Sequence, residues 1–181
     1  MSTRQRIQVV GVSGAGKTTL GRQLAERTGA HYVELDAIYH QPGWTPLPTD
    51  EFQRRIEQVV ATERWVIDGN YQSFVGSYVR ECADTFVWLD LPRWLVMARV
   101  TRRSLRRVLS GEELWNGNRE TWRNVASRDP DRNIILWTWT QYDQYRCQYE
   151  AVLADPDNAR LELVRLRTRR DINRFLRSFD R

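Results

Sequence analysis

A three-layer α/β fold with a five-stranded parallel sheet and helices on both faces is predicted by three features of the sequence. Five short apolar runs, at residues 7–10, 32–35, 65–67, 85–89 and 161–166, have the length and the β-branched or aromatic content of buried strands. Helical periodicity lies between most of them, and that alternation builds a parallel sheet covered on both sides. The first run also leads directly into a glycine-rich turn and then a helical pattern. In such sheets ligands sit beyond the C-terminal ends of the strands, so the polar residues that end each run are the ones to inspect.

The turn after the first run is Gly11-Val12-Ser13-Gly14-Ala15-Gly16-Lys17-Thr18, followed by Thr19. It satisfies G-x-x-x-x-G-K-[ST] at every required position. Its glycines let the backbone curl so that successive N–H groups point inward at anionic oxygens, and the next helix presents its positive end to them. Lys17 is placed to bridge β- and γ-phosphates, and the Thr18 hydroxyl to occupy a Mg²⁺ coordination site. Ser13, Gly14, Ala15 and Gly16 line the same nest. Lys17 is the only lysine in the chain, every other cationic side chain being arginine. The helix behind the turn carries Leu20, Leu24 and Ala25 on one face and meets Gly29 where a C-cap is expected.

The second run leads into Asp36, then Tyr39, His40 and the turn Gln41-Pro42-Gly43-Trp44. A helix starting near Thr49 or Asp50 follows, with Phe52, Ile56, Val59 and Val60 on its apolar face. The third run ends in Asp68-Gly69-Asn70-Tyr71 and the fourth in Asp90-Leu91-Pro92. Asp68 suits a carboxylate that holds Mg²⁺-bound water, and Asp90 is its rival, because Phe86-Val87-Trp88-Leu89-Asp90 has the form of a Walker B strand. The helix after Pro92 carries Arg99, Arg102, Arg103, Arg106 and Arg107. From Ser110 to Arg132 the periodicity fails, with Arg119, Arg123, Arg128 and Arg132 inside or at the end of the segment, which we read as a lid. Ile135, Trp139, Tyr142, Tyr145 and Tyr149 then recur at helical spacing as core or interface. The last run leads through Arg167 and Thr168 to a final helix.

Composition narrows the class. A chain of 181 residues with 41% hydrophobic and 11% aromatic content forms one domain with a buried core. No apolar run approaches a membrane span, and the glycine turn arrives too early for a signal peptide. Cys82 and Cys147 match no metal spacing or disulfide framework, so a reducing cytoplasm is the default. A net charge of +5 and a pI near 9.6 call for anionic partners, either nucleic acid or a nucleotide.

With these pieces in place the chain resembles the nucleoside-monophosphate-kinase-like branch of the P-loop kinases. Within it the resemblance is to the adenylate-kinase-related group known as DNA topology modulation proteins. The motif Gly11–Thr18, the Leu35-Asp36 strand end, the block from Trp65 to Tyr71, and Trp88-Leu89-Asp90-Leu91-Pro92 with its arginines carry it. The resemblance implies a P-loop NTPase fold over residues 1–181, an acceptor-binding insertion at 36–64 and a lid at about 105–132. It also implies that Arg99 stacks on the nucleotide base and that Arg103 reaches the phosphates.

The departures concern the acceptor. Adenylate kinases follow the third strand with Asp-Gly-[Phe/Tyr]-Pro-Arg and the second with Gly-Asp-x-x-Arg, and both arginines grip AMP. Here the matching stretches, Asp68-Gly69-Asn70-Tyr71 and Asp36-Ala37-Ile38-Tyr39-His40, have no arginine. In shikimate and gluconate kinases, an Asp just past the second strand meets the acceptor hydroxyl, which is the role this resemblance implies for Asp36. The expectation is an ATP- and Mg²⁺-dependent phosphotransferase. Lys17, Asp36, Arg99 and Arg103 act in catalysis, residues 11–19 with Arg99 and Arg167 bind the nucleotide, and Thr18 and Asp68 serve the metal. The acceptor stays open among nucleotides, nucleosides and hydroxylated metabolites. A nucleotide-dependent DNA-binding or regulatory protein is the other reading, and steep salt dependence of duplex binding would mark it.

Overall fold

The computed structural model describes residues 4–71 and 75–180; residues 1–3 of the opening stretch lie outside them. In chain order the elements are β1 (Arg6–Val10), α1 (Lys17–Thr28), β2 (His31–Glu34), α2 (Leu35–Tyr39), β3 (His40–Gln41), β4 (Thr45–Pro46), α3 (Thr49–Val60), β5 (Trp65–Asp68), α4 (Ser77–Cys82), β6 (Thr85–Leu89), α5 (Arg93–Ser110), α6 (Trp122–Val125), α7 (Ile134–Ala154), β7 (Glu162–Leu166) and α8 (Arg169–Arg177). All five expected strands form, and they pair in the order β2-β5-β1-β6-β7. Every pairing in this sheet is parallel.

Side-chain alternation along the strands divides the core into two layers. Val10, Val33, Trp65, Ile67, Phe86 and Trp88 face α3, α4 and the C-terminal half of α7, packing on Phe52, Ile56, Val79 and Tyr149. Ile7, Val9, Val66, Val87 and Leu89 face α1, α5 and α8, against Leu20, Leu24, Val96 and Phe175. The long helix α7 serves both layers, with Tyr142 in one and Tyr149 in the other. The aromatic run read as core or interface therefore splits: Tyr142 and Tyr149 are buried, whereas Trp139 is exposed.

Two expected boundaries move. The second strand ends at Glu34, not Leu35, because Leu35 turns inward at the start of α2 and is fully buried. The lid does not begin near Leu105, since α5 continues to Ser110 and is closed by Gly111 in the left-handed conformation, φ 62°. The irregular stretch that follows is a strap rather than a featureless loop. It holds a 3₁₀ turn at Trp115–Gly117, a bridge between Glu113 and Arg119, and the short helix α6. A reciprocal cap between Thr121 and Asn124 starts α6, a signal too short to register in hydrophobic periodicity.

Candidate active site

The glycine turn leaves the central strand β1 at its C-terminal end, and each of its glycines has a steric reason. Gly11, Gly14 and Gly16 adopt φ of 145°, 84° and 101°. A Cβ on Gly14 would lie 2.8 Å from the Val96 carbonyl, so only glycine lets α5 press this closely on the turn. Gly16 then starts α1 with no side-chain cap, and the first turn of α1 carries no acidic residue. The helix's positive end and N–H groups are thus left to a ligand, which is the arrangement anion binding needs.

Helix α5 brings its arginines to this turn. The Arg103 guanidinium donates to Ser13 Oγ at 2.7 Å, and Arg99 donates to the Ala15 carbonyl at 3.4 Å. Arg103 Nε is buried with no hydrogen-bond partner among the described residues. Burial and the neighbouring Arg107 charge pull the Arg103 pKa down. A desolvated guanidinium beside an array of backbone donors is an arrangement that suits an anion. Arg107 is tied to Glu120 at 2.8 Å, which anchors the strap to α5.

Carboxylates gather at the ends of β2 and β5. Glu34 and Asp68 are register partners, side by side in the sheet. The Thr18 hydroxyl donates to Glu34 Oε1 at 3.1 Å, and the Tyr32 hydroxyl to Asp68 Oδ2 at 2.5 Å. Burial pushes the Asp68 carboxyl up to about 6, against the opposing pull of Lys17 and Tyr32. Among the described residues no three His, Cys, Asp or Glu side chains form a metal cluster. Oxygen donors from Thr18, Glu34 and Asp68 fit Mg²⁺, an ion that retains waters and nucleotide oxygens in its shell. Sequence reasoning passed over Glu34 as a strand residue. It ends a parallel strand two positions before Asp36, a position that shows only once the strand's end is fixed.

Asp90 is engaged otherwise. It accepts from Arg165 at 2.9 Å and from Arg167 at 3.3 Å, with Arg146 at 4.0 Å. Arg167, expected at the nucleotide, has its guanidinium on Asp90 and its backbone N–H on Asp171. Thr19 lies exposed on α1.

On the other side of the carboxylates, Asp36 Oδ1 accepts from the Tyr71 hydroxyl at 2.7 Å. The Tyr71 pKa is raised, by burial first and the Asp36 charge second, so the phenol stays a proton donor. Asp36 sits in α2, which leads into the β3–β4 hairpin, and the strap closes on that hairpin. Asn118, buried, accepts from the Trp44 N–H at 2.8 Å and donates to the Gln41 carbonyl at 2.9 Å. Asn116 donates to the His40 carbonyl at 2.6 Å and the Ala37 carbonyl at 3.2 Å. The His40 ring stacks on Trp115 at 5.9 Å, and Trp44 meets it edge-on at 5.3 Å. Burial lowers the His40 pKa, keeping the imidazole neutral. Of the strap arginines, Arg119 pairs with Glu113 and Arg132 with Asp129, while Arg123 and Arg128 are exposed. His31 lies exposed at the far, N-terminal end of β2.

No protein-family model matches the chain. It is 29% identical over 115 residues to a candidate adenylate kinase of Thermococcus gammatolerans, covering 60% of this chain and 62% of that protein. It is 38% identical over 64 residues to a shikimate kinase of Dechloromonas aromatica, covering 32% of this chain and 35% of that one. The chain thus spans less than two thirds of the curated relatives it matches. Among solved structures, the shikimate kinase of Acinetobacter baumannii in complex with shikimate superposes with a TM-score of 0.59 at 16% identity, over 97% of this chain and 90% of that one. By fold the chain is an α/β protein of the P-loop kinase type, and the relatives it matches in sequence carry kinase names.

Proposed function

We propose that this chain is an ATP-dependent phosphotransferase that moves the γ-phosphoryl group to a hydroxyl of a small acceptor carrying no phosphate of its own. One observation carries the reading: Arg99 and Arg103 meet the glycine turn, and Thr18 at the end of that turn meets Glu34 beside the carboxylate of Asp68. ATP phosphates would lie in the nest of residues 11–18, with Lys17 and Arg103 on the transferred group and Arg99 against the base. Thr18, Glu34 and Asp68 would hold Mg²⁺, which supplies charge neutralisation across the β- and γ-phosphates.

Asp36 is the proposed base. Tyr71 fixes its Oδ1, and the acceptor hydroxyl would donate to Oδ2. As the acceptor oxygen bonds to the γ-phosphorus, the bond to the β–γ bridging oxygen breaks, ADP leaves and the hydroxyl proton passes to Asp36. Arginine does not stand beside Asp36 or Tyr71 in sequence, where AMP-binding relatives of the adenylate kinase type place it. This supports an acceptor without phosphate, in keeping with the shikimate kinase names among the relatives. The strap, anchored to α5 by Arg107–Glu120 and to the hairpin by Asn118, would exclude water from transfer.

The nucleic-acid reading rested on the arginine face of α5. Arg99 and Arg103 are engaged with the glycine turn, and Arg106 and Arg107 pair with Glu112 and Glu120, although Arg99, Arg102 and Arg106 are exposed. That favours the kinase. The test is ADP release measured across nucleosides, nucleoside monophosphates and hydroxylated metabolites. Acceleration by an unphosphorylated hydroxyl compound is expected. Acceleration by AMP-like acceptors alone, or duplex DNA binding with no acceptor found, would overturn the proposal.

A further inference from the structure

Asn70 has no counterpart among the groups assigned so far, yet it makes the only reciprocal side-chain contact to the start of the glycine turn among the described residues. Its Oδ1 accepts from the Gly11 N–H at 3.1 Å, and its Nδ2 donates to the Gly11 carbonyl at 2.8 Å. The Tyr149 hydroxyl, on fully buried Tyr149 of α7, donates to the same Oδ1 at 2.9 Å. The two atoms that Asn70 grips belong to the residue where β1 ends and the nest begins. Gly11 has φ 145° and sits against Leu89, so its peptide needs an outside partner to hold its plane.

The neighbours of Asn70 explain why it reaches there. Gly69 is in the left-handed region, φ 150°, with the position of a Cβ lying 2.7 Å from Leu35 Cβ. Only glycine admits that approach, and the backbone kink it allows turns Asn70 back over β1. Asp68 before it faces Tyr32, and Tyr71 after it reaches Asp36. Four consecutive residues thus contact the metal side, Leu35 in α2, the phosphate turn and the acceptor carboxylate.

We infer that Asn70 is a positioning residue for the donor site: it sets the plane of the Gly11 peptide and with it the aim of the N–H groups that receive the nucleotide phosphates. The inference rests on the nucleotide-site reading above, and its test separates the two. MgADP and MgATP affinities are measured by calorimetry for the parent, Asn70→Ala, Tyr149→Phe and the double variant, with thermal unfolding of each. Losing both bonds to Gly11 should weaken nucleotide binding about tenfold. Tyr149→Phe removes one bond from the same buried cluster and should lower the melting temperature while leaving affinity within about twofold. In the double variant nucleotide affinity should match that of Asn70→Ala.

If Asn70→Ala fails to fold, Asn70→Asp at high salt takes its place. It keeps the shape and the acceptor oxygen, loses the donor to the Gly11 carbonyl, and is expected to weaken binding in the same direction. Affinity unchanged in the Asn70 variants, or lost equally in Tyr149→Phe, would overturn the positioning role alone. A folded parent that binds no nucleotide would overturn the donor-site reading and this inference with it.

Discussion

The donor and acceptor sides of the candidate site are built from different materials. The donor side is mostly backbone: eight consecutive residues curl into a nest whose geometry depends on three glycines at positive φ. The acceptor side is mostly side chains, drawn from α2, the β3–β4 hairpin, the residues after β5 and the strap about eighty positions from the hairpin. Trp44 and Asn118, for example, are 74 residues apart in sequence. A backbone site constrains its residues chiefly where a glycine conformation is needed, because its donors are N–H groups that every residue but proline supplies. A side-chain site changes with each substitution. The contrast offers a physical reason why a donor loop is shared by kinases with different acceptors.

Four experiments test that contrast. The largest effect is expected from Lys17→Ala, which should cost about a thousandfold in ATP turnover through lost charge stabilisation. An amine-reactive ATP analogue should label Lys17 nearly alone apart from the N-terminus, and excess ATP should protect it, since the chain has no other lysine. Next, Asp36→Asn should lower kcat about a hundredfold with nucleotide affinity unchanged. If ATP affinity fell as far as kcat, the two sides would not be separable.

The third is a pH experiment on Asp68, whose folded pKa of about 6 lies above the ordinary carboxylate value. A raised carboxyl pKa contributes stability that is complete below pH about 4 and lost as pH rises to about 6. The nucleotide-free chain should therefore lose about 2–3 kcal/mol from this group across that interval, and Asp68→Asn should remove the dependence. MgATP affinity should run the opposite way, falling about tenfold per pH unit below 6 as the carboxylate is protonated. Parallel pH trends in stability and affinity would count against Asp68 as a metal-side group. The smallest effect is expected from Asn118→Ala. Freeing the strap from the hairpin should cost about 1–3 kcal/mol in stability and raise acceptor-independent ATP hydrolysis a few-fold. Unchanged hydrolysis would mean that the strap does not seal the site.

How much of this was legible in the sequence follows the same division. The five strands and the glycine turn were readable because each lies in a local pattern, an apolar run or a glycine spacing, whereas Arg99 and Arg103 were singled out through the resemblance to adenylate kinases. Glu34 was missed because an acidic residue inside a strand-like run has no local mark until the strand's end is known. Asn70 and Asn118 were missed because an amide side chain reads as a turn former in sequence, and its partners become visible only in space. Arg167 and Asp90, each plausible alone, turned out to bind one another, a pairing that a separation of 77 positions conceals.

The sequence by itself determined the parallel sheet and the glycine turn, since periodicity and glycine placement act over a few residues and need no distant partner. The tertiary structure decided which carboxylates stand side by side at the ends of β2 and β5, which arginines are spent on ion pairs, and that the strap locks onto the hairpin. Those outcomes depend on strand register and on long-range hydrogen bonds. Such contacts form only once the chain has closed on itself, so no local pattern encodes them.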